Sequence, residues 1–177
     1  MFALKIVGTV CIPGATTLYA RGLVNELSCR IAALKAIKQS FTTLKGELRY
    51  GVETLPSAFM HVGERCSCGQ ETVRDFFWNT GNRLKTENGS ILKEVWEEEA
   101  KKLSATAHLN GNECDNLIAV ADSLGYLDLT QQTNNIELYL QSVDESIEAL
   151  SGKYEQTSRM YMSLGVMVGL FLTIILI

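Results

Sequence analysis

The chain has 177 residues, a formal net charge of −4 and a sequence pI near 5.3. This acidic balance gives no basic footprint for nucleic acid, which argues against a nucleic-acid-binding protein. The cysteines are odd in number and scattered, which fits a reducing compartment better than a disulfide scaffold, and they are Cys11, Cys29, Cys66, Cys68 and Cys114. Only two prolines interrupt the chain, so an all-α fold is expected.

The N-terminus, residues 1–21, is predicted to be a membrane segment. The fifteen uncharged residues 6–20 would reach about 22 Å as a helix, a marginal length unless Lys5 snorkels and residues 2–4 join them. A cleaved signal peptide is the alternative. Leu18 fits a cleavage site after Ala20 poorly, and the helical pattern continues past Arg21, which favours an uncleaved segment.

The middle, residues 22–159, is predicted to be a cytosolic domain of six helices. The first covers residues 22–50, where apolar residues recur every seventh position, and Gly51 is expected to end it in a left-handed conformation. Pro56 lies in the first turn of the second helix, and Ser90 is expected to cap the fourth. The inward positions of these four helices are Leu27, Ile31, Leu34, Ile37, Phe41, Leu44, Leu48, Ala58, Phe59, Val62, Val73, Phe76, Phe77, Thr80, Leu84, Ile91, Leu92, Val95, Trp96, Ala100 and Leu103.

The fifth and sixth helices complete the predicted bundle. The fifth begins at Asn110 or Asn112, ends at Gly125, and turns Leu117, Val120, Ala121 and Leu124 inward. Asp128 offers a capping carboxylate for the long sixth helix. Its apolar stripe consists of Leu129, Ile136, Leu140, Val143, Ile147, Leu150, Tyr154 and Tyr161. The long first and sixth helices are expected to lie antiparallel, with the four short helices packed on them.

The C-terminus, residues 160–177, contains no charged side chain. Eighteen helical residues span about 27 Å, close to the hydrocarbon thickness of a bilayer, so a transmembrane tail anchor is predicted. Gly165 and Gly169 form a G-x-x-x-G pattern that lets another helix pack closely, although glycine is also simply common in membrane helices. The two long helices therefore lead into terminal membrane segments. The basic residues flanking the middle, Arg21, Arg30, Lys35, Lys38, Lys153 and Arg159, place it in the cytosol.

Catalytic and metal-binding patterns are sparse. His61, Cys66 and Cys68 have metal-ligand chemistry, but Cys114 or His108 would have to supply a fourth ligand from a non-standard spacing. Reduced thiols in a loop are the simpler interpretation. No nucleotide-binding glycine motif is present, and two histidines supply few bases for neutral pH. We expect neither a cofactor nor an enzyme, and a metal- or redox-active membrane-tethered protein is the alternative function.

The fourth helix carries a dense run of charges. Its candidate partner-docking residues are Glu94, Glu97, Glu98, Lys101 and Lys102. Glu97–Lys101 and Glu98–Lys102 are spaced to pair along the helix, so an ordinary solvated face is the simpler interpretation and an acidic docking patch the functional one. Trp78 and Trp96 are expected in or beside the core. Glu47 is expected to accept a hydrogen bond from the next loop.

Several short motifs together resemble the stage III sporulation protein AB family. They are residues 47–51 (Glu-Leu-Arg-Tyr-Gly), 54–58 (Thr-Leu-Pro-Ser-Ala), 73–77 (Val-Arg-Asp-Phe-Phe) and 95–98 (Val-Trp-Glu-Glu), Leu124-Gly125 with Asp128 and Gln132, and Leu164-Gly165 with Gly169. The positions that carry the resemblance are Glu47, Tyr50, Gly51, Leu55, Pro56, Phe77, Trp96, Leu124, Gly125, Asp128 and Gln132.

The resemblance implies a mother-cell membrane protein of an endospore-forming bacterium. It would belong to the channel complex that joins the mother cell to the forespore. The family is similar to the cytoplasmic six-helix domain of type II secretion F platform proteins, which hold a secretion ATPase against the membrane. The implied partners are stage III sporulation protein AA, as the ATPase, and other membrane subunits of the channel. Secretion F proteins carry two such domains, whereas this chain carries one.

Overall fold

The computed structural model describes residues 2–50, 54–66, 71–87, 89, 91–125 and 128–176, without the side chains of 2–24 and of most of 158–176. The described residues form six α-helices and no strand, as predicted. The helices are α1 (Phe2–Tyr50), α2 (Leu55–Glu64), α3 (Glu71–Thr86), α4 (Leu92–Ala107), α5 (Gly111–Leu124) and α6 (Leu129–Leu176). The chain divides into two compact units, Cys29–Glu148 and the combined ends Met1–Ser28 and Ala149–Ile177.

The terminal unit consists of the first part of α1 and the last part of α6. The first helix begins at Phe2, twenty residues before the position predicted for it, because the helical pattern runs through the predicted N-terminal segment without a break. Among the described residues, no helix contains a stretch long and apolar enough to cross a bilayer. The predicted membrane segments 1–21 and 160–177 fall mostly on side chains outside the described part of the chain. They stay predictions.

The unit Cys29–Glu148 is built around an aromatic cluster to which α1, α2, α3 and α4 all contribute. Trp96 of α4 is fully buried, and its ring centroid lies 4.8 Å from that of Phe76, 5.3 Å from that of Phe59 and 6.0 Å from that of Phe41. Phe77 packs edge-on against Phe76 at 4.9 Å. Each such aromatic pair contributes about 0.5–1.5 kcal/mol beyond the area it buries. The cluster therefore fixes how the four helices cross.

Within this unit the bundle portions of α1 and α6 run antiparallel, as predicted. Lys38 of α1 pairs with Asp144 of α6 at 2.6 Å, and Lys45, two turns further along α1, pairs with the earlier Glu137. Between these pairs Tyr139 packs on Phe41 with centroids 4.7 Å apart. Burial raises the pKa of Tyr139, so it remains a neutral phenol.

The start of α5 is fixed by a local and a distant contact that share one carboxylate. Asn110 is the N-cap, which settles the choice between Asn110 and Asn112: its side chain accepts from the Glu113 amide at 2.7 Å. The Glu113 carboxylate in turn accepts a hydrogen bond from the Asn110 amide at 3.0 Å, which completes a capping box. The same carboxylate receives two hydrogen bonds from Arg30 of α1, at 2.8 and 2.9 Å. Arg30 is therefore a bundle residue as well as a basic flanking residue.

The first residues of α4 and α6 differ from expectation in capping or exposure. The N-cap of α4 is Ile91 rather than Ser90, because the Ile91 carbonyl already accepts from the amides of Glu94 and Val95. Ile91 and Leu129 are exposed, against the prediction that they face inward, since each lies at the very start of its helix before the buried stripe begins. Ser90 itself and Gly51 lie outside the described residues.

The α2–α3 crossing depends on two small residues. A Cβ added to Gly81 would lie 2.6 Å from the Pro56 carbonyl oxygen, and one added to Gly63 would lie 3.0 Å from the Trp78 amide nitrogen. Both distances are shorter than ordinary contacts between heavy atoms, so only glycine allows the helices to approach this closely.

Candidate docking surface

The predicted docking residues occupy the side of α4 that faces away from the core. Val95, Trp96, Ala100, Leu103 and Ala107 form the buried side of this helix. The charged residues Glu94, Glu98, Lys101 and Lys102 are exposed and Glu97 is half-buried, so the helical spacing alone brings all five together.

Ion pairs hold most of these charges in place. Lys101 donates to Glu97 at 2.6 Å, and Lys102 lies 2.9 Å from Glu98, as the i,i+4 spacing predicted. The hydrogen bond from Lys101 lowers the pKa of the Glu97 carboxyl, and hydrogen bonds from Lys102 and Arg83 lower the pKa of Glu98. Both carboxylates are therefore ionised at neutral pH.

Two charged residues that sequence reasoning did not select organise this surface. Glu99 is buried (4% exposed) beneath the charges and accepts from Lys102 at 2.8 Å and from Arg83 at 3.0 Å. Arg83 of α3 also reaches Glu98 at 2.9 Å and Glu87 at 3.1 Å, and these contacts raise the pKa of its guanidinium. Glu99 could have been found from its phase, because it follows Trp96 by three residues and Val95 by four on the buried stripe.

The surface is thus an ion-pair network across α3 and α4 rather than a row of independent side chains. A cavity of about 280 Å³ lies beside it between the two helices, and Glu99 and Lys102 form part of its wall. Because this network holds both signs of charge at fixed positions, it can recognise a partner through complementary salt bridges.

The residues considered as an alternative metal site form no such site among those that the structure describes. Cys66 lies 3.1 Å from the hydroxyl of Ser40, a hydrogen bond within the bundle, and Cys68 is outside the described residues. No group of three His, Cys, Asp or Glu side chains among the described residues could hold a metal ion. Gly165 and Gly169 lie where side-chain environments are not described, so their proposed packing role remains a prediction.

The motif positions fall mainly on structural contacts. Phe77 and Trp96 are buried in the aromatic cluster, and Leu55 and Pro56 form the first turn of α2. Glu47 accepts a hydrogen bond, as expected, but the donor is Arg65, the C-cap of α2, at 2.9 Å rather than a residue of the loop after α1. Tyr50 is exposed.

The α5–α6 turn explains the remaining motif. Gly125 is the C-cap of α5, and the Asp128 carboxylate accepts from the Thr130 amide at 2.6 Å at the start of α6. Gln132 donates to the Leu124 carbonyl at 2.8 Å and closes the turn. These residues connect α5 to α6.

Comparison with known proteins agrees with the motifs. A family model described as stage III sporulation protein AB matches residues 5–177. The chain is 25% identical over 173 residues to stage III sporulation protein AB of Bacillus subtilis (strain 168), covering 98% of this chain and 99% of that protein. A solved structure of stage III sporulation protein AB is similar in fold, with a TM-score of 0.63, 21% identity, and coverage of 72% of this chain and 97% of its own. Since the family match includes nearly every residue, this chain belongs to the stage III sporulation protein AB family.

Proposed function

We propose that this chain is a non-enzymatic platform subunit, anchored in the mother-cell membrane, of the channel complex between mother cell and forespore that endospore formation requires. The observation that carries the proposal is the family match over residues 5–177, which includes both the helical bundle and the uncharged chain ends. The similarity of the family's domain to that of secretion F platform proteins supports a role in holding other proteins. Among the described residues, no cluster of His, Cys, Asp or Glu side chains favours the metal-binding alternative.

The partner of the bundle would be a secretion-type ATPase, stage III sporulation protein AA, recruited through the exposed side of α4. The support is the arrangement of Glu94, Glu97, Glu98, Lys101 and Lys102 on one helix side, with four of them fixed by ion pairs. Charges held in place before binding lose less side-chain freedom on association than mobile ones. Such a surface favours specificity and rapid association.

Co-purification with the ATPase tests this surface. We expect the double substitution Glu94→Lys and Glu97→Lys to weaken recovery of the ATPase by at least about tenfold. The introduced lysines would repel the basic residues of the partner that the two glutamates attract. Glu64→Lys is the matched control, since it reverses an exposed acid on α2. Unchanged recovery with the double variant would remove the α4 surface from the proposal.

The anchors would be residues 160–177 and residues 1–21, with the bundle facing the cytosol. The support is the absence of charge from 160–177 and from 6–20, together with the basic residues on the bundle side of both stretches. Gly165 and Gly169 would pack against a neighbouring membrane subunit.

Fractionation of cells tests the anchors. The full chain is expected in the membrane fraction, resistant to carbonate extraction, and the replacement Val168→Lys, which adds about 3 kcal/mol to insertion, is expected to weaken that association. Val168→Leu is the control, since it preserves the apolar character. A soluble full-length chain would refute the anchoring, and ATPase binding can be scored separately.

A further inference from the structure

A second exposed surface lies on the unit Cys29–Glu148, in the groove between α5 and α6. The groove has a volume of about 500 Å³. Its α5 wall contains Asn116, Ala119, Val120, Asp122 and Ser123, and its α6 wall contains Asn135, Leu138, Tyr139 and Ser142. On each helix these residues recur at three- and four-residue intervals, so each wall is one continuous helix side. Each wall extends about two helical turns, or about 10 Å.

The apolar part of the groove lining includes one large, exposed side chain. Leu138 is 62% exposed, although Tyr139 beside it is almost completely buried against Phe41. On the α5 side, Val120 is buried and Ala119 is small. No bulky side chain of α5 therefore fills the space between the two helices. A large exposed leucine beside unfilled apolar space is a site for an apolar anchor from outside.

The two helices that form the groove carry acidic but no basic side chains along it. Neither α5 nor residues 129–148 of α6 contains a lysine, arginine or histidine. Asp122 lies in the α5 wall, where Lys93 of α4 pairs with it at 2.8 Å. Asp115 and Glu145 are exposed and prolong the two walls by one helical step, since they precede Ala119 by four residues and follow Ser142 by three. The antiparallel course of α5 and α6 puts both at the same end of the groove.

We propose that this groove binds an amphipathic helix of a partner protein, with small or leucine side chains on its apolar side and lysine or arginine along its flanks. The apolar floor takes the anchors, as in other helix-in-groove complexes, and the amide and hydroxyl side chains of the walls line the polar boundary. Asp115 and Glu145 attract the basic flanks. The inference rests on the proposed platform function but uses a surface separate from the α4 charges, so the platform would hold two partners or two parts of one.

A designed peptide tests the proposal directly. The probe is a fluorescein-labelled, lactam-stapled helix of about 14 residues, about 21 Å long, with leucine and alanine on one side and lysine on both flanks. A matched peptide keeps the staple and has glutamate in place of every lysine outside it. Binding to the full-length chain in nanodiscs of zwitterionic phosphatidylcholine is measured by fluorescence anisotropy, and binding to empty nanodiscs is subtracted.

The lysine peptide is expected to bind at least about tenfold more tightly than the glutamate peptide, and less tightly as salt increases. Leu138→Gln should weaken it by at least about tenfold, because the anchor contact is lost. Ile91→Gln, which changes an exposed apolar residue elsewhere on the bundle, is the control and should have no effect. The double substitution Asp115→Lys and Glu145→Lys should reverse the preference between the two peptides. Leu138, Asp115 and Glu145 are all exposed, so these substitutions should not disturb the core. Circular dichroism is used to check that each variant folds.

Several results would overturn the inference. These are no binding of either peptide, equal binding of both, or binding that Leu138→Gln leaves unchanged. Self-association of the chain that Leu138→Gln abolishes would assign the groove to a second copy instead. Loss of peptide binding together with normal ATPase recovery would refute only the groove, whereas loss of ATPase recovery with intact peptide binding would refute only the α4 surface.

Discussion

Replacement of Trp96 by phenylalanine probes the contact on which the bundle core is centred. The Trp96 indole N–H donates to the Leu117 carbonyl at 2.8 Å, and this hydrogen bond joins α4 to α5 in the interior. Phenylalanine would remove this donor, but the carbonyl would keep its hydrogen bond within α5, so the loss is that of one net hydrogen bond, about 0.5–1.5 kcal/mol. The smaller ring would also leave about 40 Å³ unfilled, which costs about 1 kcal/mol at about 24 cal/mol per Å³. The free energy of unfolding should therefore fall by about 1.5–2.5 kcal/mol.

Trp78→Phe is the matched control, because it makes the same chemical change at a position that is 40% exposed. It should change the free energy of unfolding by less than about 0.5 kcal/mol. The full-length chain in a mild non-ionic detergent is unfolded in urea and followed by far-UV circular dichroism, since both variants alter the tryptophan fluorescence. Similar urea dependence of the transitions would show that the denatured states are comparable.

The reasoning fails if Trp96→Phe is as stable as the unmodified chain. It also fails if the two variants lose the same stability, since the loss could then not be assigned to burial and the Leu117 hydrogen bond.

Three further predictions use the same unfolding measurement. Gly81→Ala should lower the free energy of unfolding by about 1–3 kcal/mol, because its methyl group would meet the first-turn carbonyl of α2, whereas Gly46→Ala in the open interior of α1 should raise it by about 0.5–1 kcal/mol. Equal effects would contradict the close helix crossing. Asp128→Ala should cost about 1 kcal/mol through the lost cap of α6, and Asp128→Asn should restore most of it. Because the folded-state pKa values of Glu97 and Glu98 are lowered, their contribution is present above the ordinary glutamate pKa of about 4.3 and is lost as pH falls through the lower folded values. The Glu97→Gln, Glu98→Gln variant should therefore show a weaker loss of stability below about pH 4.3, and an identical pH profile would count against these ion pairs.

The helices and most of the core could be predicted from the sequence because their apolar periodicity is strong. Phe41, Phe77 and Trp96 were placed in the core from spacing alone, and each is fully buried. The spacing failed at helix starts, where Ile91 and Leu129 keep the period but lie before the packed turns. It also missed Tyr139, which lies beside the predicted stripe position Leu140 and is buried against Phe41 of α1.

The charged surface was predicted less completely for a different reason. The pairs Glu97–Lys101 and Glu98–Lys102 follow from positions on one helix and could be predicted. The contacts of Arg83 with Glu98 and Glu99 depend on how α3 crosses α4, which no local pattern encodes. Polar residues such as Glu99 are assigned to solvent by their chemistry, and their burial is favourable only where partners such as Lys102 and Arg83 compensate for it.

The carboxylate of Glu113 belongs at once to a turn of four residues and to a link across 83 positions of the chain. A fragment ending after α5 without α1 could initiate this helix but would leave the acid without the guanidinium that accompanies it in the bundle. The backbone amides of Asn110 and Glu113 are therefore sensitive both to the formation of the first turn of α5 and to the packing of α5 against α1. We expect hydrogen exchange at these two amides to be as slow as exchange in the middle of α1. The first turn of a helix usually frays early, but the first turn of α5 should open only when the bundle opens cooperatively.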